Sequence, residues 1–453
     1  MNISRYFRIS EPSAEKVPQE QVAACYKRLR NRTIWGITAA YSLFYLCRMT
    51  FSVVKQPMID SGVFSAAQLG LIGSAMLFVY AIGKFCNGFI ADYCNIRRYM
   101  AVGLMVSSLL NLVIGLLGIF RDDFTLAPSF VFIIFAVLWA LNGWTQSMGS
   151  PPTVISLSRW FPLASRGTYY SIICATPYLG KAMSYLAIGA VVGICGWYWG
   201  FLLASAIGFA GAAVILIFVS DTPESCGLPS VQELSGEAVL EEDKLPVKVL
   251  QNKVIRHPAI WIIALSSAFV YITQYAISGW GVLFLQKAKD FSLARSTSVM
   301  AIQELFGILG TVGAGWISDR LFRGNRLKPV AISGVICSLS LWLFLFTDSG
   351  TVADIIFLSV FSMTIGTLYC LVAGLMAIDI VPRKATGAAL GIVGIFSYVA
   401  AGVQDVVSGY MIHEGSRNGC GFTSAAIFWL VCSILAFLLP VIFGKMLKAP
   451  DRR

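Results

Sequence analysis

Long apolar runs alternate with short polar connections along the whole chain. The runs fall near 33–57, 67–92, 99–120, 127–149, 166–192, 197–219, 258–285, 295–319, 329–347, 354–378, 385–412 and 422–446, twelve in all. Each has about the ~20 residues that a helix needs to cross a bilayer core. A helix satisfies its backbone groups internally, as hydrocarbon demands. The pattern predicts an all-α polytopic membrane protein. Residues 1–32 are polar and basic, with neither an apolar core nor a small-residue cleavage site. No signal peptide is expected there, and the first helix serves as the insertion signal. A second polar stretch, 220–257, carries DTPESCGLP and the acidic run EEDK and reads as a linker. The expected organisation is a cytoplasmic segment 1–32, a six-helix bundle 33–219, the linker 220–257, a second six-helix bundle 258–447 and a cytoplasmic tail 448–453.

Composition supports this class: 57% of residues are hydrophobic and 13% charged, against about a quarter charged in a soluble domain. Lys and Arg set the orientation. With a cytoplasmic N-terminus, twenty-five of them fall in cytoplasmic segments and six on the opposite side, Lys55 among the six. Both termini are expected in the cytoplasm. The net charge of +11 then reflects loops facing anionic lipid, and nucleic-acid binding is not expected. Eleven cysteines without paired spacing and two histidines near helix ends offer no metal site, disulfide framework or catalytic triad. No enzyme activity, metal or cofactor is expected.

The chain also repeats itself. GFIADYCNIRR begins at Gly88 and GWISDRLFRGNR at Gly315, so Asp92 and Asp319 recur at an offset of 227 residues, each followed by basic residues (Arg97 and Arg98; Arg320). SRGTYYSI at 165–172 and RKATGAALGI at 383–392 form a second echo. Glycine allows close helix approach, and Asp with Arg at a helix end can latch neighbouring helices. Duplication of this kind suits a transporter built from two halves. The signature resembles the loop motif of the major facilitator superfamily, which implies twelve transmembrane helices in two pseudo-symmetric six-helix bundles.

Five charges lie deep in apolar runs: Arg48, Lys84, Lys181, Glu304 and Asp405. Lys84 precedes Asp92 by eight residues, about 12 Å of helix rise and more than snorkelling easily covers. Arg48 and Lys181 lie roughly 22 Å into their helices. Charge at such depth is costly and marks function by default. The cations could face a cavity as an anion site, an Arg fork suiting phosphate oxygens and Lys adding a compact charge. Alternatively they could pair with Glu304 or Asp405 and lock helices together. Tyr41 and Tyr45 share the Arg48 face, and Tyr80 sits one turn before Lys84. Tyrosine supplies a hydroxyl and a flat face for a sugar ring, although membrane aromatics also form belts and packing.

YSLFYLCRMTFS (41–52), YAIGKFCNGFIAD (80–92), NGWTQSMGSPP (142–152) and GWISDRLFRGNR (315–326) resemble the organophosphate:phosphate antiporter family, most nearly its hexose-phosphate transporter and sensor branch. The similarity runs from about 33 to 446. It implies substrate residues at Arg48 and Lys84, with Tyr41, Tyr45, Tyr80, Gln146 and Thr176 around them and Tyr271 and Tyr398 from the second half. Family members place a cation on the seventh helix. That position is the neutral Gln274 here, while Arg48 plus the repeat offset lands on Tyr275. Lys181 on the fifth helix either supplies the missing positive potential or balances Asp405. Asp92, Arg97, Arg98, Asp319, Arg320, Glu304 and Asp405 are expected to gate or brace. The resemblance implies a monomer in the bacterial cytoplasmic (inner) membrane that imports hexose phosphate of the glucose 6-phosphate type against inorganic phosphate. A sensor of external hexose phosphate and a proton-coupled symporter are the alternative readings.

Overall fold

The computed structural model describes residues 6–92, 94–120, 127–235, 247–322, 325–347, 350–381, 386–444 and 446. Among them it has twelve helices long and apolar enough to cross a membrane. In the first half these are α1 (Val22–Asp60), α2 (Ala66–Asp92), α3 (Ile96–Ile119), α4 (Pro128–Ser147), α5 (Leu163–Cys195) and α6 (Trp197–Phe218). In the second they are α7 (Pro258–Ala288), α8 (Leu293–Trp316), α9 (Leu327–Phe346), α10 (Gly350–Cys370), α11 (Thr386–Arg417) and α12 (Thr423–Ile442). The apolar pattern locates all of them, but it misplaces ends where polar residues continue a helix. α1 starts eleven residues before the expected Thr33, because its first turns pack on protein: Tyr26 Oη donates to the Trp160 carbonyl at 2.6 Å, and Arg30 lies 5.3 Å from the Phe161 ring.

Part of the 220–257 stretch is built into the first half. Asp221 accepts from the Ser10 amide at 2.8 Å and from the Ile96 amide at 2.9 Å, and pairs with Arg159 at 2.6 Å. One carboxylate thus joins the N-terminal segment, the start of α3 and the extension of α4 at Ser150–Trp160. Residues 236–246, with the acidic run, lie outside the described residues.

The halves meet chiefly through α1 with α7, α2 with α11 and α5 with α8. α1 and α7 are the first helices of the two repeats, and equivalent positions touch across the pseudo-two-fold. Arg48 bonds Tyr275 and Asp60 meets Lys287, both 227 residues apart. The α2–α11 seam depends on missing side chains. A Cβ on Gly70 would fall 2.6 Å from the Asp405 carbonyl oxygen, and one on Gly409 2.8 Å from that of Ala66. Without a hydrophobic drive between helices in lipid, such close backbone approach supplies the packing. The seam closes the end of the bundle that carries the α1–α2 turn.

Candidate substrate site

Arg48 is 4% exposed and sits midway along α1, where the two halves touch. Its Nη2 donates to Tyr275 Oη at 2.8 Å. Four rings surround the guanidinium, those of Tyr45 (5.6 Å), Tyr80 (4.4 Å), Tyr275 (5.6 Å) and Tyr398 (5.7 Å). Lys84 on α2 approaches the same Tyr398 ring at 4.8 Å. Tyr398 packs on Tyr80 at 4.7 Å and on Tyr271 at 5.2 Å. The helices bring these side chains together from α1, α2, α7 and α11. Among the described residues, neither Arg48 nor Lys84 has a carboxylate partner. Ring faces at about 0.5–2 kcal/mol each soften the burial of a cation without neutralising it. The site therefore keeps a positive potential that an anion can satisfy.

The other deep charges are paired, Lys181 with one of the two carboxylates expected for it and Asp405 with a cation not expected there. Lys181 Nζ lies 2.6 Å from Glu304 Oε2, joining α5 to α8, and donates to Ser278 Oγ at 3.4 Å. Asp405 belongs to a different cation, so the idea that Lys181 balances Asp405 is corrected. Lys55 Nζ reaches Asp405 Oδ1 at 3.2 Å, lies 3.4 Å from the Trp280 ring, and Trp280 Nε1 donates to the same oxygen at 2.6 Å. Lys55 itself is a second correction. Charge counting along the chain treats it as an outer-surface cation near a helix end, yet it is 1% exposed. α1 continues to Asp60, so Lys55 lies inside the helix on the face turned to α7 and α11.

Of the other expected residues, Tyr45, Lys181, Tyr271, Gln274 and Tyr398 line one cavity beside Arg48. Gln274 donates to Tyr178 Oη at 3.5 Å, and its Oε1 is buried without a partner. Tyr41 is one ring removed, edge-on to Tyr45 at 5.5 Å. Two expected residues are engaged elsewhere. Gln146 Nε2 donates to Ser107 Oγ at 2.8 Å between α4 and α3, and the Thr176 hydroxyl returns to the Ile173 carbonyl of its own helix at 2.6 Å.

At the opposite end of the bundle, Arg97 donates to the Leu216 carbonyl and Arg98 to that of Tyr6, both within the first half. Arg320 is exposed, on the π-helical turn Ile317–Leu321. The side chains of Asp92 and Asp319 lie outside the described residues. An ion pair not foreseen from the motif, Arg326 with Asp379 at 2.9 Å, ties the α8–α9 connection to the short helix Met376–Asp379 that follows α10. Sequence reasoning also missed Tyr275 as an Arg48 partner, although the repeat offset pointed to it.

Residues 37–404 match the family described as Major Facilitator Superfamily. The glycerol-3-phosphate transporter of Bacillus subtilis is 30% identical, covering 90% of this chain and 92% of that protein. A probable hexose phosphate transport protein of Chlamydia pneumoniae is 27% identical over 97% of this chain and 96% of that protein. The chain belongs to the organophosphate:phosphate antiporter family of the major facilitator superfamily. A solved structure of a bacterial homologue of the human lysosomal transporter Spinster, inward-facing and unoccupied, aligns with TM-score 0.73 over 93% of this chain and 99% of that one. At 17% identity it speaks for the fold alone.

Proposed function

We propose that this chain imports hexose phosphate, of the glucose 6-phosphate type, in exchange for inorganic phosphate, with both termini in the cytoplasm. The observation that carries the reading is the pair of cations, Arg48 and Lys84, flanking Tyr398 between the two halves with no carboxylate among the described residues to neutralise them. Phosphate near neutral pH carries about −1.5 to −2 charges, close to what two cations balance. Arg48 offers a fork to two oxygens, and the tyrosine hydroxyls and faces suit the rest of a sugar phosphate. The relatives named for glycerol-3-phosphate and hexose phosphate support a substrate of this class. The bundle is sealed at the end assigned to the outside, as in the inward-facing member of an alternating-access pair, and rocking of the halves about Arg48 would expose the site to the other face. Glu304 and Asp405 are each paired to a lysine, which favours structural roles for them over proton carriage.

Counterflow tests the reading. Liposomes loaded with inorganic phosphate and containing the purified chain should accumulate labelled glucose 6-phosphate and ignore free glucose. Uptake driven by a pH gradient without internal phosphate would overturn the exchange. Saturable binding without any uptake would replace the transporter with a sensor.

A further inference from the structure

A second cavity opens on the other side of Arg48, toward the sealed end, with Ser52, Lys55, Gln404 and Asp405 among its lining. Its volume is about 40 Å³, room for a hydroxymethyl group or roughly one to three waters. Its electrostatics differ from those around Arg48. Lys55 and Asp405 neutralise each other and Trp280 occupies the same carboxylate oxygen, so the cavity presents little net charge away from Arg48. Met76, Leu77 and Trp139 give it an apolar wall. The unexplained group is Gln404. The residue is fully buried, and one end of its amide is held by Ser408 Oγ at 2.8 Å, which also accepts from Trp429 Nε1 at 2.8 Å. The other end, Oε1, is buried with no hydrogen-bond partner among the described residues. Such a group destabilises the fold unless something satisfies it.

We propose that Gln404 is a specificity residue, which bonds a hydroxyl of the organic part of the substrate and so separates organophosphate from inorganic phosphate. This rests on the phosphate-binding reading of Arg48 and Lys84. A phosphoryl group held at Arg48 leaves one hydroxyl-bearing end of a short polyol or sugar free to reach into the neutral cavity, beside the apolar wall. A hydroxyl both donates and accepts, so it satisfies whichever end of the amide faces the cavity. Inorganic phosphate has no such extension and gains nothing from the contact. A second anion is disfavoured there, because the nearby lysine is already neutralised.

The test is competition against labelled inorganic phosphate on the full chain in detergent, with glucose 6-phosphate, its single-deoxy analogues and glycerol 3-phosphate as competitors. In the unmodified protein, at least one deoxy analogue should bind about five- to ten-fold more weakly than its parent, the loss expected for one hydrogen bond between neutral groups. In Gln404→Met, which keeps the length and loses the polar atoms, the ratio of parent to inorganic phosphate affinity should fall by the same factor, and that deoxy analogue should show no further change. If every deoxy analogue matches its parent, or if Gln404→Met leaves the ratio unchanged, water alone fills the cavity and the proposal falls. If the unmodified protein binds phosphate but no sugar phosphate at all, the functional reading itself has failed, and the subsite with it.

Discussion

Lys55→Met is the substitution with the most to reveal about how the bundle opens. Lys55 belongs to α1 and Asp405 to α11, so their pair spans the two halves at the sealed end, and the side chains are 2% and 10% exposed. Removing Lys55 leaves the Asp405 carboxylate buried with the Trp280 indole as its one side-chain donor among the described residues. Losing one partner of a buried pair costs about 3–5 kcal/mol, most of it the uncompensated charge. That cost falls on the sealed arrangement, because opening would admit water to Asp405. A bias of about 3 kcal/mol is more than a hundred-fold in population. Spin labels at Ser61 and Asn418, both exposed near the α1–α2 turn and beyond α11, should report one short distance in the parent protein. In Lys55→Met a long-distance population should dominate, with the exposed Cys195 and Cys420 and the half-buried Cys25, Cys86, Cys174, Cys226 and Cys370 replaced by Ser in every variant so that labelling is confined to the two sites. Adding Asp405→Asn removes the stranded charge and should return most molecules to the short distance. An unchanged distance distribution in Lys55→Met would refute the reasoning, as would purely additive effects of the two changes.

Arg48→Lys keeps the charge but loses the fork and the reach to Tyr275, so exchange should fall on the order of 10- to 100-fold while insertion survives; near-normal counterflow by Arg48→Ala would sink the anion site. Lys181→Gln should strand Glu304 and lower the thermal stability of the purified protein, with Glu304→Gln restoring it; failure of that rescue would give Lys181 back a direct ligand role. Gly73→Ala drives a Cβ into Asp405 Oδ2, so the carboxylate must shift and its contact with Lys55 weakens, and the distance readout should move toward that of Lys55→Met; a parent-like distribution would show that the α2–α11 seam has slack.

Twelve apolar runs, a 227-residue repeat and a few motif stretches are local properties, which is why class, architecture and family were legible before any coordinates. The depth of Arg48 and Lys84 in their helices was legible too, since helical rise converts residue count into distance. Partner choice was not. Lys181 had two carboxylates within plausible reach, and only the packing of α5 against α8 selected Glu304 over Asp405. The family resemblance implied site roles for Gln146 and Thr176, yet the rotation of their helices turns one to Ser107 and returns the other to its own backbone.

Lys55 and Gln404 show where the boundary lies. Hydropathy assigns a lysine near the end of an apolar run to the membrane surface, because the bilayer is the only environment a linear pattern can represent. The protein interior is a second environment, created when α1, α7 and α11 meet, and there an ion pair and an indole replace water. Likewise nothing along α11 distinguishes a glutamine satisfied at both ends from one left with a buried, unpartnered oxygen. The order of residues determined which segments enter the membrane and which charges must be accommodated there. Which charges cancel, and which remain for a ligand, was decided by the packing of the two halves, since electrostatic pairing depends on distances between helices that sequence separation does not encode.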